Sequence, residues 1–460
     1  MSTAELYRPR ETHFAAAFVA LLGCGSVLAA DGAVSGNTTM AIVGAGLAGA
    51  ALMLLLCAGL VDGIALVVLC LAVPAPYASG SLRVAPAALA TAAALVAWVV
   101  QRALDRREGA VDAIPWRAIA ALFSVLLLST AFALQVGPAL REILDWFLLL
   151  ALLAVAVHEF VVEPRRLRAT ALLIAGVMGV AGFFAALQGI GVLPARFHWR
   201  GYVNRATLGF GWPNELGMFM ALGVPFSVHA CVVAEGRGPR LLARLGLAAN
   251  LLGLASSFSR GSWLSVAAAL PVLLLCRERR FVLRGVLLAL VVFVAVDVVS
   301  GGEIGQRIAS TGGDWEVGQR LALTLAGLLM FRTHPLVGVG PGGFGANLQD
   351  FGPQIPALWN YTGSAQNLYV HMAAETGLLG LGALLVLMGA GFLAILRSAR
   401  PGTGAPPRSL AERSLRRTLL WSFATTCFVG FFEWPFAHGV GELIILIAAM
   451  GFALQEEGAP

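Results

Sequence analysis

The chain has 460 residues, of which 58% are hydrophobic and 12% charged, with a mean hydropathy of +0.83. A soluble domain carries about 25% charged residues, so a soluble globular protein is excluded and an all-α, polytopic integral membrane protein remains. The formal net charge of +6 is carried without any lysine; the arginines fall in short loops between apolar runs, where they set topology, and no nucleic-acid partner is implied.

Arg8 and Arg10 precede the apolar run Phe14–Ala30, which resembles a signal peptide; further spans follow at once, so an uncleaved first span is the reading. Apolar runs then recur at about 38–60, 64–80, 84–101, 118–136, 140–162, 169–193, 214–234, 245–258, 262–276, 281–299, 366–396, 418–433 and 439–455. At about 20 residues per span this predicts about 12 to 14 transmembrane helices. The second run contains Gly44-Ala-Gly-Leu-Ala-Gly49, a letter-for-letter dinucleotide fingerprint. No strand ending in an acid follows it, so small-residue helix packing is the better account. The six cysteines sit in apolar runs without CxxC spacing and imply neither disulfides nor a metal site.

With 14 spans and a cytoplasmic amino terminus, the arginine clusters at 102–107, 165–168, 237–244, 277–284 and 397–417 all fall on the cytoplasmic side. Arg83 and Arg141 are minor exceptions. The chain divides into amino-terminal helices (1–168), a second set (169–299), an exterior loop (300–365) and carboxy-terminal helices (366–460). Pro401–Pro407 reads as a flexible cytoplasmic linker.

The exterior loop is the one long segment that is not relentlessly apolar, and loops of that length are usually functional or disordered. Asp314–Arg332 reads as an amphipathic helix on the bilayer surface, with Leu321, Leu325, Leu328 and Leu329 on one face and Arg320 on the stripe beside it. Gly340-Pro-Gly-Gly-Phe-Gly345 can present backbone N–H groups to an anion, or form a tight turn. Exterior arginines are disfavoured by topology, yet Arg196, Arg200 and Arg205 lie in one exterior loop, Arg260 in a second and Arg320 in a third. Together they point to a polyanion site at the outer leaflet, such as a pyrophosphate.

These pieces, in order, resemble the O-antigen ligase and polymerase superfamily over roughly residues 170–440. Gly209-Phe-Gly-Trp-Pro-Asn-Glu-Leu216 resembles the family's G-F-x-N-P-N opening of a span, and Ser259-Arg-Gly261 its S-R-G turn. Arg320 followed by His334-Pro-Leu-Val-Gly-Val-Gly-Pro-Gly-Gly-Phe344 resembles its loop segment. Gln366-Asn-Leu-Tyr and Glu375-Thr-Gly-Leu-Leu-Gly380 resemble H-N-x-x-L…E-x-G-x-x-G.

The resemblance implies a GT-C-like, metal-independent, inverting glycosyltransferase of the bacterial inner membrane, without cofactor and with its site facing the periplasm. Its donor is a glycan on undecaprenyl pyrophosphate. The acceptor is lipid A–core in a ligase and a growing polysaccharide in a polymerase. The family's essential arginines map onto Arg260 and Arg320, with Arg205 third. Gln366 and Glu375 complete the catalytic candidates; Asn214, His334, Gly340, Gly342, Asn367 and His371 are the donor- or glycan-binding ones.

One departure stands out: Gln366 occupies the place where many ligases carry a histidine, and an amide cannot act as a general base. His371 is about 7.5 Å further along a helix and about 140° round it, a poor substitute that reads as a hydrogen-bonded helix residue. Glu375, His334, Glu433 and His438 are other candidates; alternatively, arginine stabilisation carries most of the rate. Ligation is taken ahead of polymerisation. A lipid-linked-glycan flippase is the rival class, disfavoured because mid-span ionisable groups (Asp145, His229, Asp297) are few.

Overall fold

The computed structural model describes residues 49–50, 52–57, 61–71, 86–105, 114–195, 197–199, 203–208, 210–276, 279–280, 282–283, 285–287, 294, 297–298, 302, 305–306, 315–351, 363–399, 409–436 and 439–456. The expected span at 14–30, the larger part of 38–60 and most of 281–299 lie outside these residues, as do Arg196, Arg200, His438 and the linker at 401–407.

Among the described residues the chain is all-α apart from one two-stranded ribbon. The helices are α1 (Gly63–Cys70), α2 (Pro86–Asp105), α3 (Trp116–Ala131), α4 (Val136–Val162), α5 (Pro164–Gly189), α6 (Pro213–Val233), α7 (Arg237–Ser256) and α8 (Arg260–Ala269). After these come α9 (Trp315–Thr333), α10 (Gly343–Phe351), α11 (Leu368–Ala399), α12 (Leu410–Val429) and α13 (Val440–Glu456). Strands β1 (Phe197–Trp199) and β2 (Val203–Arg205) form an antiparallel pair between α5 and α6. Helices α2, α4, α5, α6 and α11 are long and apolar enough to cross a membrane; α3, α8 with its continuation, and α13 are shorter apolar helices. The expected span at 262–276 turns from α-helix to a 3-10 segment at Leu270–Cys276, where Pro271 brings no N–H.

Two compact units are separable: residues 1–67 with 89–108, and residues 68–88 with 109–460. In the first, Gly63 packs on Ala94, and Gln101 donates to the Leu56 carbonyl. The second is the larger.

That unit is a helix bundle tied by small residues and hydroxyls. A Cβ on Gly253 would stand 2.7 Å from the Gly182 Cα, so α5 and α7 touch backbone to backbone as small residues permit in membrane helices. Pro225 interrupts the hydrogen-bond ladder of α6, and α12 serves the surrounding carbonyls: Ser422 Oγ donates to Leu222 O at 2.7 Å and Thr418 Oγ1 to Pro225 O at 3.1 Å. At one end of the bundle, buried Arg416 donates to the terminal carbonyls Ser398 O of α11 and Leu454 O of α13. Arg168 lines the same end, beside His229 and Val233. Helix α6 then runs about 30 Å, at 1.5 Å per residue, to its other end at Asn214.

The amphipathic helix forms as α9. Leu323, Ala326 and Met330 pack in a core with Val339, Phe344, Leu348, Ala365 and Ala374, which draws on α10 and α11 as well. Leu321, Leu325, Leu328 and Leu329 remain exposed, so α9 presents one apolar face to the protein and another outward.

Candidate active site

At the Asn214 end, side chains from five elements converge. Pro213 opens α6 at a position where a missing N–H costs nothing, and Glu215 reaches back to the N–H of Gly211 at 2.8 Å. This fixes Asn214 at the helix mouth. Arg205, the last residue of β2, is 8% exposed. Its guanidinium donates to Ser257 O (3.2 Å), Asn214 Oδ1 (3.0 Å) and Glu316 Oε1 (3.1 Å). Arg260 opens α8 and approaches the other oxygen of Glu316 at 3.9 Å. Arg320, on α9, donates to Phe432 O and to Glu433 Oε1, and Glu433 Oε1 also accepts from Asn214 Nδ2 at 2.8 Å.

The result is a continuous network: Arg260, Glu316, Arg205, Asn214, Glu433, Arg320. Close packing sets its geometry. A Cβ on Gly217 would stand 2.6 Å from the Ser259 Cβ, and one on Gly261 would stand 2.8 Å from the Phe432 Cβ. The turn before Arg260 is therefore wedged between α6 and the turn that follows α12.

Among the described residues Glu316 pairs with Arg205 and Arg260 and Glu433 with Arg320, so three guanidiniums gather at one end of the bundle. Glu433 lies in the turn between α12 and α13. Burial pushes its carboxyl above the usual range, Arg320 and Asn214 pull it down, and Glu215 pushes it up.

Glu375 belongs to a second cluster. It is 2% exposed, and its two oxygens accept from the N–H groups of Gly342 and Phe344, each at 2.9 Å. The N–H groups of the glycine turn are taken by the chain's own carboxyl group. The neighbouring backbone completes the match: Val339 N–H donates to Ala374 O and Gly340 N–H to Glu375 O, while Leu378 N–H returns to Pro335 O. This exchange needs the kink at Gly377 (φ 65°) and the turn at Gly338 (φ 68°), left-handed conformations that glycine adopts at no steric cost. Ser129 Oγ clasps both partners, donating to Val337 O and Glu375 O.

The other candidates are also placed. His371 is buried; its Nδ1 accepts from Ala365 N–H, so Nε2 carries the proton and faces Glu375 Oε1 at 3.4 Å. Asn367 caps α11, its Oδ1 accepting from the N–H groups of Tyr369 and Val370, both at 3.0 Å. Its amide donates to Phe431 O. Gln366, immediately before it, holds φ at 50°. His334 sits at the far end of α9, about 21 Å along the helix from Arg320, against Thr333 and Phe351.

The structure therefore brings Arg205, Asn214, Arg260 and Arg320 together. It sets Glu375, Gly340, Gly342 and His371 in an adjoining structural joint, reached through Trp434, whose ring lies 4.2 Å from that of His371. Glu316 was missed in the sequence. At i, i+4 from Arg320 it reads as an ordinary intrahelical pair; in the fold it turns to Arg205 and Arg260 instead.

Residues 245–398 match the family model described as O-antigen ligase. This segment, about a third of the chain, is similar to the O-antigen ligase family. It carries Arg260, Glu316, Arg320 and the whole glycine–Glu375 joint. The match is narrower than the resemblance at 170–440: Arg205 and Asn214 precede it and Glu433 follows it. No curated protein matches the chain. The O-antigen ligase domain on a multi-pass helical chain supports a glycosyltransferase-like enzyme in O-antigen or polysaccharide synthesis.

Proposed function

We propose that the protein transfers a glycan from undecaprenyl pyrophosphate to a sugar hydroxyl at the Arg205–Arg260–Arg320 cluster, and that the reaction is O-antigen ligation to lipid A–core. The observation that carries this is the convergence of three arginines, each from a separate element, at one end of the bundle, where among the described residues they pair with Glu316 and Glu433. Cleaving the sugar–phosphate bond leaves charge on the pyrophosphate. Guanidiniums fixed before the reaction stabilise that charge without reorganising, and their forked geometry suits phosphate oxygens. Chelators such as EDTA are then expected to leave turnover unchanged.

The arginine end faces the periplasm of a bacterial inner membrane in this reading, since Arg168 and Arg416 mark the opposite end. Gln366, in place of the family's histidine, favours a polysaccharide polymerase as the second reading. A lipopolysaccharide gel from a deletion strain separates the two. Core without O-antigen supports ligation, core with a single repeat indicates an O-antigen polymerase, and an unchanged ladder contradicts both of these and points to exopolysaccharide or glycoprotein synthesis.

A further inference from the structure

We propose that Glu433 is the general base of this site, held by Arg320 in the free protein and released to the acceptor hydroxyl when the donor pyrophosphate takes that arginine. The inference rests on the pyrophosphate reading above.

Three observations carry it. First, both hydrogen bonds to Glu433, from Arg320 and from Asn214, fall on Oε1. Among the described residues Oε2 accepts no hydrogen bond, so one oxygen is available for a hydroxyl while the other stays anchored. Second, the turn that carries Glu433 is bonded directly to the start of α11. Leu368 N–H donates to Gly430 O at 2.7 Å and Asn367 Nδ2 to Phe431 O at 3.1 Å. The turn that carries this carboxylate is thus tied to the segment where Gln366 supplies no base. Third, Glu433 is 9% exposed, and the groups facing it are unequal: Arg320 from α9 and Asn214 from α6 favour its charge, Glu215 from α6 opposes it.

Glu316 is the alternative carboxylate. It is more exposed and shared by Arg205 and Arg260, so losing one cation leaves it paired.

The sign of the change follows. Arg320 lowers the proton affinity of Glu433 in the free protein. When a pyrophosphate occupies Arg320, that influence weakens and a new negative charge stands nearby, so the carboxylate becomes a stronger base as the donor binds. In the step itself, the acceptor oxygen forms a bond to the anomeric carbon and gives its proton to Glu433 Oε2. The bond between the anomeric carbon and the phosphate oxygen breaks, and its electron pair leaves on the pyrophosphate, held by the arginines. The products are the glycoside, polyprenyl pyrophosphate and a protonated Glu433, which then returns its proton to water.

The test uses the full-length protein in nanodiscs, with donor and acceptor supplied as the lipid extract of a strain deleted for this chain. Farnesyl pyrophosphate serves as a binding probe. Glu433→Gln is expected to lower kcat by about 100-fold or more, to bind farnesyl pyrophosphate at least as tightly as wild type because Arg320 loses its competing carboxylate, and to lose the acid limb of the pH–rate profile. In the wild type that limb lies at higher pH in kcat than in kcat/KM, because kcat reports the donor complex. Glu433→Asp keeps a carboxyl and should keep the limb at a reduced rate. Wild-type kcat with an intact limb in Glu433→Gln, or a folded Glu433→Asp without the limb, overturns the assignment while leaving the arginine site standing. Wild-type transfer by Arg320→Ala overturns the site reading itself.

Discussion

Replacing Arg320 with alanine perturbs both the fold and the chemistry, and the structure lets the two be separated. The guanidinium donates to Phe432 O and Glu433 Oε1, with side-chain exposures of 27% for Arg320 and 11% for Glu433. Removing the cation strands a largely buried carboxylate, a change that costs about 3–5 kcal/mol where burial is complete. Here Asn214 retains one bond to Glu433, and a proton can replace the cation, so a stability loss of about 1–3 kcal/mol is expected. The loss for catalysis is of another order. One fixed donor to a charge that develops in the transition state is worth about 100- to 1000-fold in kcat. Arg320→Lys keeps the charge without the fork, and should fall between the two. The assay is glycan transfer in nanodiscs, normalised to the folded fraction from a thermal melt. Turnover of Arg320→Ala within threefold of wild type, alongside a lowered melting temperature, would refute the catalytic reasoning and leave Arg320 a structural tie.

Other substitutions probe the supports. Arg205→Lys cannot reach Ser257 O, Asn214 and Glu316 together, and should cost about 1–3 kcal/mol of stability in a detergent melt as well as most of the transfer rate. Gly338→Ala places a Cβ against the Glu375 carbonyl at a positive φ; a loss of about 2 kcal/mol or more is expected, seen as poor recovery of folded protein. In Glu375→Gln an amide N–H would face the Gly342 or Phe344 N–H, lowering stability by about 1–3 kcal/mol. Its activity loss should track the unfolded fraction; a stable but inactive protein would contradict the structural role. Gly182→Leu forces α5 off Ala249 and Asn250 of α7, and should abolish folded protein by the same melt.

Much of this was legible in the sequence because it follows from periodicity and charge. The apolar runs over α4, α5, α6 and α11 emerge as helices within a few residues of their expected ends. The arginines of three loops that topology disfavours meet in one network through Glu316, Asn214 and Glu433. What the sequence concealed is pairing at long range. Nothing local in Glu375-Thr-Gly377 announces that it mates with Pro335–Gly342, since the exchange depends on carbonyls freed by a kink. A glycine-rich turn looks open to a ligand until its partner is seen. Asn367 had a readable signal, as a capping residue directly before a long apolar helix. Glu316 had a misleading one, because an acid four residues before an arginine suggests a pair along the helix, whereas the convergence of β2, α8 and α9 decides its partners.

The central claim is that the arginine cluster holds a lipid pyrophosphate, and equilibrium binding of farnesyl pyrophosphate to the purified protein in nanodiscs tests it most directly. Saturable binding, competed by inorganic pyrophosphate and weakened at least tenfold in both Arg260→Ala and Arg320→Ala, is the predicted result. Equal affinity in wild type and both folded variants would contradict it.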